Sequence, residues 1–132
     1  MYTFPYQKKT IEEGAIADPK VALNLKTIVG FMPITFLVDS GADVTTLPLH
    51  SHAGFFGFQK NPRERIILGG VEGRGIGGYP YKLLVKLGRE EFPLRCYFIE
   101  SNTDPLLGRL DFWDKFSITF DNRSLKTIIS PL

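Results

Sequence analysis

Asp39 is the residue in this chain best suited to do chemistry. It ends the apolar run Phe36-Leu37-Val38 and is followed by Ser40, Gly41 and Ala42. Leaving a lone carboxylate at the end of a hydrophobic segment costs on the order of several kcal/mol unless it is paired or neutralised. Acids kept at that cost concentrate where a proton must be moved. Ser40 can donate and accept hydrogen bonds in the same loop, and Gly41 tolerates a sharp turn. Taken alone, Asp-Ser-Gly also reads as an Asx-turn at a strand end. The rest of the chain has to decide.

Downstream lies Gly69-Gly70-Val71-Glu72-Gly73-Arg74-Gly75-Ile76-Gly77-Gly78, in which six of ten residues are glycine. So little side chain allows motion and a close approach of backbone to a ligand. A phosphate cradle is disfavoured, because no Gly-Lys-Ser/Thr follows and no helix opens there; a merely flexible loop stays open. Leu106-Leu107-Gly108-Arg109 follows nearer the C-terminus. By itself it is a common core-then-turn sequence. Other reactive side chains lead nowhere. His50 and His52 have no third ligand at metal spacing, so they are expected to be solvent-exposed loop residues. Cys96 sits in a strand pattern beside Tyr97 and Phe98 and is expected in the core. No Gly-x-Ser-x-Gly supports a serine hydrolase.

The order Asp39-Ser40-Gly41-Ala42, glycine-rich segment, Leu106-Leu107-Gly108-Arg109 resembles the retropepsin-like (retroviral-type) aspartic proteases, in their bacterial, cellular or phage single-domain form. The resemblance covers roughly residues 20 to 130. It implies catalytic roles for Asp39, Ser40 and Gly41. It also implies substrate contacts from Ala42, Asp43 and a flap hairpin containing Gly69, Gly70, Val71 and Gly73. Leu106, Leu107, Gly108 and Arg109 would support the catalytic loop from beneath, ahead of a short helix. Asp43, four residues after Asp39, would pair with Arg109. A partly buried pair of that kind costs ~3 to 5 kcal/mol when one partner is removed. Val44 stands where the retroviral pattern often has a further acid.

Aspartic-protease chemistry needs two carboxylates about 3 Å apart that share one proton. This chain carries one Asp-Ser-Gly and lacks the length for two lobes. The resemblance therefore implies a homodimer in which Asp39 meets Asp39 of a second copy across a twofold axis. It would hydrolyse extended peptide segments with no metal or organic cofactor. A retropepsin-fold module that binds peptide without turnover is the alternative, and a small nucleic-acid-binding barrel a weaker third.

The elements that would position these residues are strands. The chain has 132 residues, enough for one domain. Thirteen Gly, nine Pro and eleven Phe, spread among short β-branched and aromatic segments, point to an all-β domain. The expected form is a closed or partly open barrel with a flap hairpin and one short C-terminal helix. Val21, Leu23 and Leu25 alternate with polar residues and should form a hairpin with residues 32–38, turning at Val29-Gly30. Further strands are expected over 65–68, 79–87 and 91–99, a loop over 50–62, and a terminal hairpin at 117–120 and 125–129. Apolar spacings of three and four predict a short helix within 106–116. Residues 1–19 read as an arm or edge segment, and 20–132 as the domain.

The formal net charge is only +2 and the basic residues are scattered, so no nucleic acid partner is expected. No apolar stretch reaches the ~20 residues of a membrane span, and no membrane partner is expected. A single Cys, no visible signal peptide and an initiating Met1 point to a free-standing cytoplasmic protein.

Overall fold

The computed structural model describes residues 1–69 and 74–132. Its core is a barrel built from β4 (Lys20–Thr27), β5 (Gly30–Val38), β6 (Thr45–Pro48), β7 (Ile66–Leu68), β8 (Ile76–Leu87), β9 (Glu90–Ile99) and β10 (Leu106–Leu107). Strand order is β4-β5-β10-β6-β9-β8-β7, and an additional β4–β8 pairing closes the first six into a ring. β7 hangs from the far end of β8. Before the barrel come β1 (Tyr2–Pro5) and the hairpin β2 (Gln7–Ile11) and β3 (Gly14–Asp18); after it come β11 (Phe116–Asp121) and β12 (Lys126–Pro131). β1 pairs with β12 and β12 with β11, so both ends of this chain share one three-stranded sheet.

Alternation explains the ring. Val21, Leu23 and Leu25 of β4 face inward with Ile34, Phe36 and Val38 of β5. Leu83, Val85 and Leu87 of β8 meet Phe92, Leu94, Cys96 and Phe98 of β9 in the same interior. The period of two puts every second side chain in the core and its neighbours in water. The hairpin turns match the glycines: Gly30 and Gly88 both have positive φ, which other residues resist.

Three expectations change. Residues 106–116 form no helix. Leu106–Leu107 is a strand, and the following residues make hydrogen-bonded turns through the Arg109 and Phe112 carbonyls. Asp111 explains the break, since its φ of 65° is incompatible with a continuing right-handed helix. The i, i+3 and i+4 spacing instead lets Phe112 and Phe116 stack under Phe92. The expected loop over 50–62 contains a single helical turn, α1 (Leu49–His52), and a 3₁₀ turn at Ala53–Phe56; a second 3₁₀ turn spans Pro62–Glu64. Phe56 drives the ordering by packing on Tyr81 and Phe98. Gly77 and Gly78 belong to strand β8 rather than to the connecting segment.

Candidate active site

Asp39 leaves the end of β5 at the point where three chain segments meet. Its N–H donates to the Leu107 carbonyl at 3.0 Å, and its own carbonyl accepts from Ala42 N–H at 3.2 Å. The Gly41 N–H donates to Asp39 Oδ1 at 2.9 Å, closing an Asx-turn. One carboxylate oxygen is thereby occupied and the half-buried acid is held in one orientation. Gly41 does not sit at positive φ, and a Cβ there would only touch Asp39 Oδ1 at 3.4 Å. The side-chain-to-backbone bond shapes this turn, not glycine's conformational freedom.

Beneath the loop runs β10. It lies parallel to β5, Leu106 opposite Leu37 and Leu107 opposite Val38. Beyond it, Gly108 N–H donates to the buried Thr45 Oγ1 at 3.0 Å, Arg109 N–H to the Ala42 carbonyl and Leu110 N–H to the Asp43 carbonyl. Gly108 is obligatory for a steric reason: a Cβ would lie 2.3 Å from the Val44 carbonyl carbon and 2.4 Å from its oxygen. The segment thus meets the loop backbone to backbone. Arg109 Nη2 donates to Asp43 Oδ1, but both side chains are largely in solvent, Asp43 83% exposed. The expected partly buried pair is, in the single chain, a surface pair.

A cavity of about 520 Å³ opens beside this loop. Ala42 and Asp43 line it, as does Gly69 on the opposite wall. Gly70, Val71 and Gly73 lie outside the described residues. The rest of the lining is not legible from the sequence: Val44, Leu68, Ile76 and Ile99 supply apolar wall, and Thr46, Tyr97, Ser101 and Thr103 supply polar groups. Leu106, expected only as support, is part of the lining too. Period-two alternation alone could have pointed to Ile99 and Ile76, but not to the β8–β9 register, Gly78 opposite Ile99, that brings them to the same end of the pair.

Two charge clusters flank the cavity. Arg65 Nη2 donates to Glu100 Oε1 at 2.7 Å, and Tyr79 Oη to Glu100 Oε2 at 3.3 Å. The pair passes directly over Gly77, where a Cβ would lie 2.0 Å from Glu100 Oε1 and 2.4 Å from Arg65 Nη2. On the other side, Arg95 grips both oxygens of Asp111 at 2.9 Å, and Arg95 N–H donates to Asp111 Oδ2 as well. Those hydrogen bonds from Arg95 hold the Asp111 carboxyl down at about 2. Cys96 is buried, and burial pushes its thiol up, away from thiolate chemistry. His50 is exposed, while His52 is partly buried and its pKa is lowered by that burial. No group of three His, Cys, Asp or Glu side chains gathers among the described residues.

Neither a family model nor a curated protein sequence matches this chain. Solved structures do. A retropepsin-like aspartic protease from Rickettsia conorii superposes with a TM-score of 0.59 and 18% identity over 97% of this chain and 99% of its own. The EIAV protease, complexed with the inhibitor HBY-793, superposes with a TM-score of 0.58 and 20% identity over 74% of this chain and 86% of its own. The arrangement of strands is thus that of a known architecture: this chain has the retropepsin-like aspartic protease fold.

Proposed function

We propose that the chain is an aspartic endopeptidase that works as a homodimer. The observation that carries this is the Asp39 loop: its acid is oriented by an Asx bond and braced from beneath by β10, and the next residues of the loop, Gly41, Ala42 and Asp43, line an open, mostly apolar cavity. A single acid cannot both activate water and protonate the scissile carbonyl. Asp39 of a second copy supplies the other carboxylate, and the two share one proton because like charges at that distance cannot both ionise. The ionised member takes a proton from water as the water oxygen bonds to the scissile carbonyl carbon, and the protonated member donates to the carbonyl oxygen. The resulting diol then collapses: the C–N bond breaks, one carboxyl proton passes to the leaving nitrogen and a diol hydroxyl proton returns to the dyad. The apolar lining from Leu68, Ile76 and Ile99 receives substrate side chains. β7, at the end of the sheet order, has no second strand partner among the described residues, and its outer edge takes an extended peptide.

Incubation with unstructured peptide mixtures from about pH 3 to 8 tests the reading. Cleavage is expected from the wild type and not from Asp39→Asn, with specific activity falling on dilution as the dimer dissociates. Activity that stays constant well below the dimer dissociation constant would overturn the shared site.

A further inference from the structure

Turns are ordinarily made of Gly, Pro, Asn, Asp and Ser. Ahead of Gly30, the two residues at the tip of the β4–β5 turn are instead Ile28 and Val29, 69% and 78% exposed. Phe31, the second residue of β5, and Phe55 are exposed as well. Ile28 N–H donates to the Phe55 carbonyl at 3.0 Å, which joins these residues in one apolar projection. Lysines surround it. Lys26 is the cross-strand partner of Phe31. Lys82 shares a shallow depression with Lys26 and Ile28. Lys86 Nζ lies 5.6 Å from the centre of the Phe31 ring. All three lysines are exposed, and among the described residues none makes an ion pair. Glu91, cross-strand to Lys86, is the acid nearest to them in register.

We infer that this projection docks on an anionic membrane surface, with Ile28, Val29, Phe31 and Phe55 entering the headgroup boundary and Lys26, Lys82 and Lys86 meeting lipid phosphates. Its size selects lipid over protein. A stable protein–protein interface uses about 20 to 30 residues a side, whereas interfacial attachment needs a few apolar side chains with cations beside them. Lysine suits the rim because its stem follows apolar surface while the amine stays at headgroup level. The orientation leaves the candidate active site free. β5 runs nine residues from Gly30 to Val38, about 30 Å of strand, so Asp39 lies at the far end from the docked turn. The expectation of no membrane partner rested on the lack of a spanning run. A face assembled from β4, β5 and β8 leaves no such run in the sequence. The inference is independent of the peptidase reading.

Co-sedimentation of the whole chain with vesicles tests it, using phosphatidylcholine alone or with about 30% phosphatidylglycerol. The chain is expected to bind the anionic vesicles more tightly than the neutral ones, and to be released as salt rises. Ile28→Ser/Val29→Ser and Lys26→Gln/Lys82→Gln should each lower the partition coefficient by at least ~10-fold, with far-UV dichroism and thermal unfolding unchanged. Val29→Asp alone, at the most exposed position of the turn, gives the same reading if the serine pair fails to fold. Absence of binding to anionic vesicles at low salt overturns the inference. So does binding that ignores both substitution pairs, or a serine pair that abolishes self-association of a protein that never bound vesicles.

Discussion

On one side of the cavity the Asp39 loop is fixed by backbone: Asp39, Ala42 and Asp43 each exchange main-chain hydrogen bonds with the segment 107–110. On the other side β7 is three residues long, pairs among the described residues only with β8, and is tied across Gly77 by the side chains of Arg65 and Glu100. Backbone bonds survive most substitutions, while a half-exposed ion pair can be removed by one change or weakened by salt. The acid is therefore set rigidly, and the wall facing it is the adjustable part.

The largest effect should come from the rigid side, without disturbing it. Asn at position 39 keeps the Oδ1 acceptor that receives Gly41 N–H and loses the group that takes a proton. Asp39→Asn is expected to reduce peptide cleavage to far below a tenth of wild type with dichroism and thermal midpoint unchanged. Cleavage above a tenth would remove Asp39 from the mechanism.

Two glycines sharpen the contrast. A Cβ at Gly108 would collide with Val44 backbone, which cannot move without unzipping the loop, whereas a Cβ at Gly77 would meet only the far ends of Glu100 and Arg65. Gly108→Ala should thus cost about 3 kcal/mol or prevent folding. Gly77→Ala should cost about 1 kcal/mol or less, yet speed hydrogen exchange over 66–68 and 76–79. Denaturant melts and exchange rates on both variants decide this, and equal destabilisation would mean the walls do not differ.

The same contrast explains how much could be read in advance. The barrel strands β4, β5, β8 and β9 follow from period-two alternation and their hairpin glycines, which are local signals. Asp39 was visible because a charged residue breaks an apolar run. What stayed hidden depends on residues far apart in sequence. Asp111 is gripped by Arg95 from β9 and takes a left-handed backbone, so a 3.6-residue pattern became a turn. Glu100 finds Arg65 only after β8 has placed Gly77 between them. The apolar-basic face around Ile28 gathers residues from three strands and the 3₁₀ turn at Phe55.

Acid should probe the Arg95–Asp111 tie. The folded carboxyl is depressed to about 2 from an ordinary 3.8. Its contribution is therefore present above pH ~4 and lost as pH falls through about 2. With Arg95 largely in solvent, about 1 kcal/mol is expected after screening. Between about pH 4 and 2, Asp111→Asn should lose less stability than wild type. Parallel curves would mean that Asp111 titrates as a free acid.

The smallest effect belongs to Asp43 and Arg109. Their side chains meet in solvent, and the backbone bonds Arg109 N–H to Ala42 and Leu110 N–H to Asp43 already hold the two segments together. In the isolated chain a double-mutant cycle of Asp43→Ala and Arg109→Ala should give a coupling near 0.5 kcal/mol, the usual worth of an exposed pair. If a second copy packs against this corner, the pair loses water and its coupling must grow with protein concentration, toward the ~3 kcal/mol of a pair whose broken partner is left buried. The cycle measured by denaturant at protein concentrations below and above the dimer dissociation constant separates the two cases. A coupling that stays near 0.5 kcal/mol in the dimer would show that the Asp43–Arg109 corner remains in water, and that the rigid side of the cavity relies on its backbone alone.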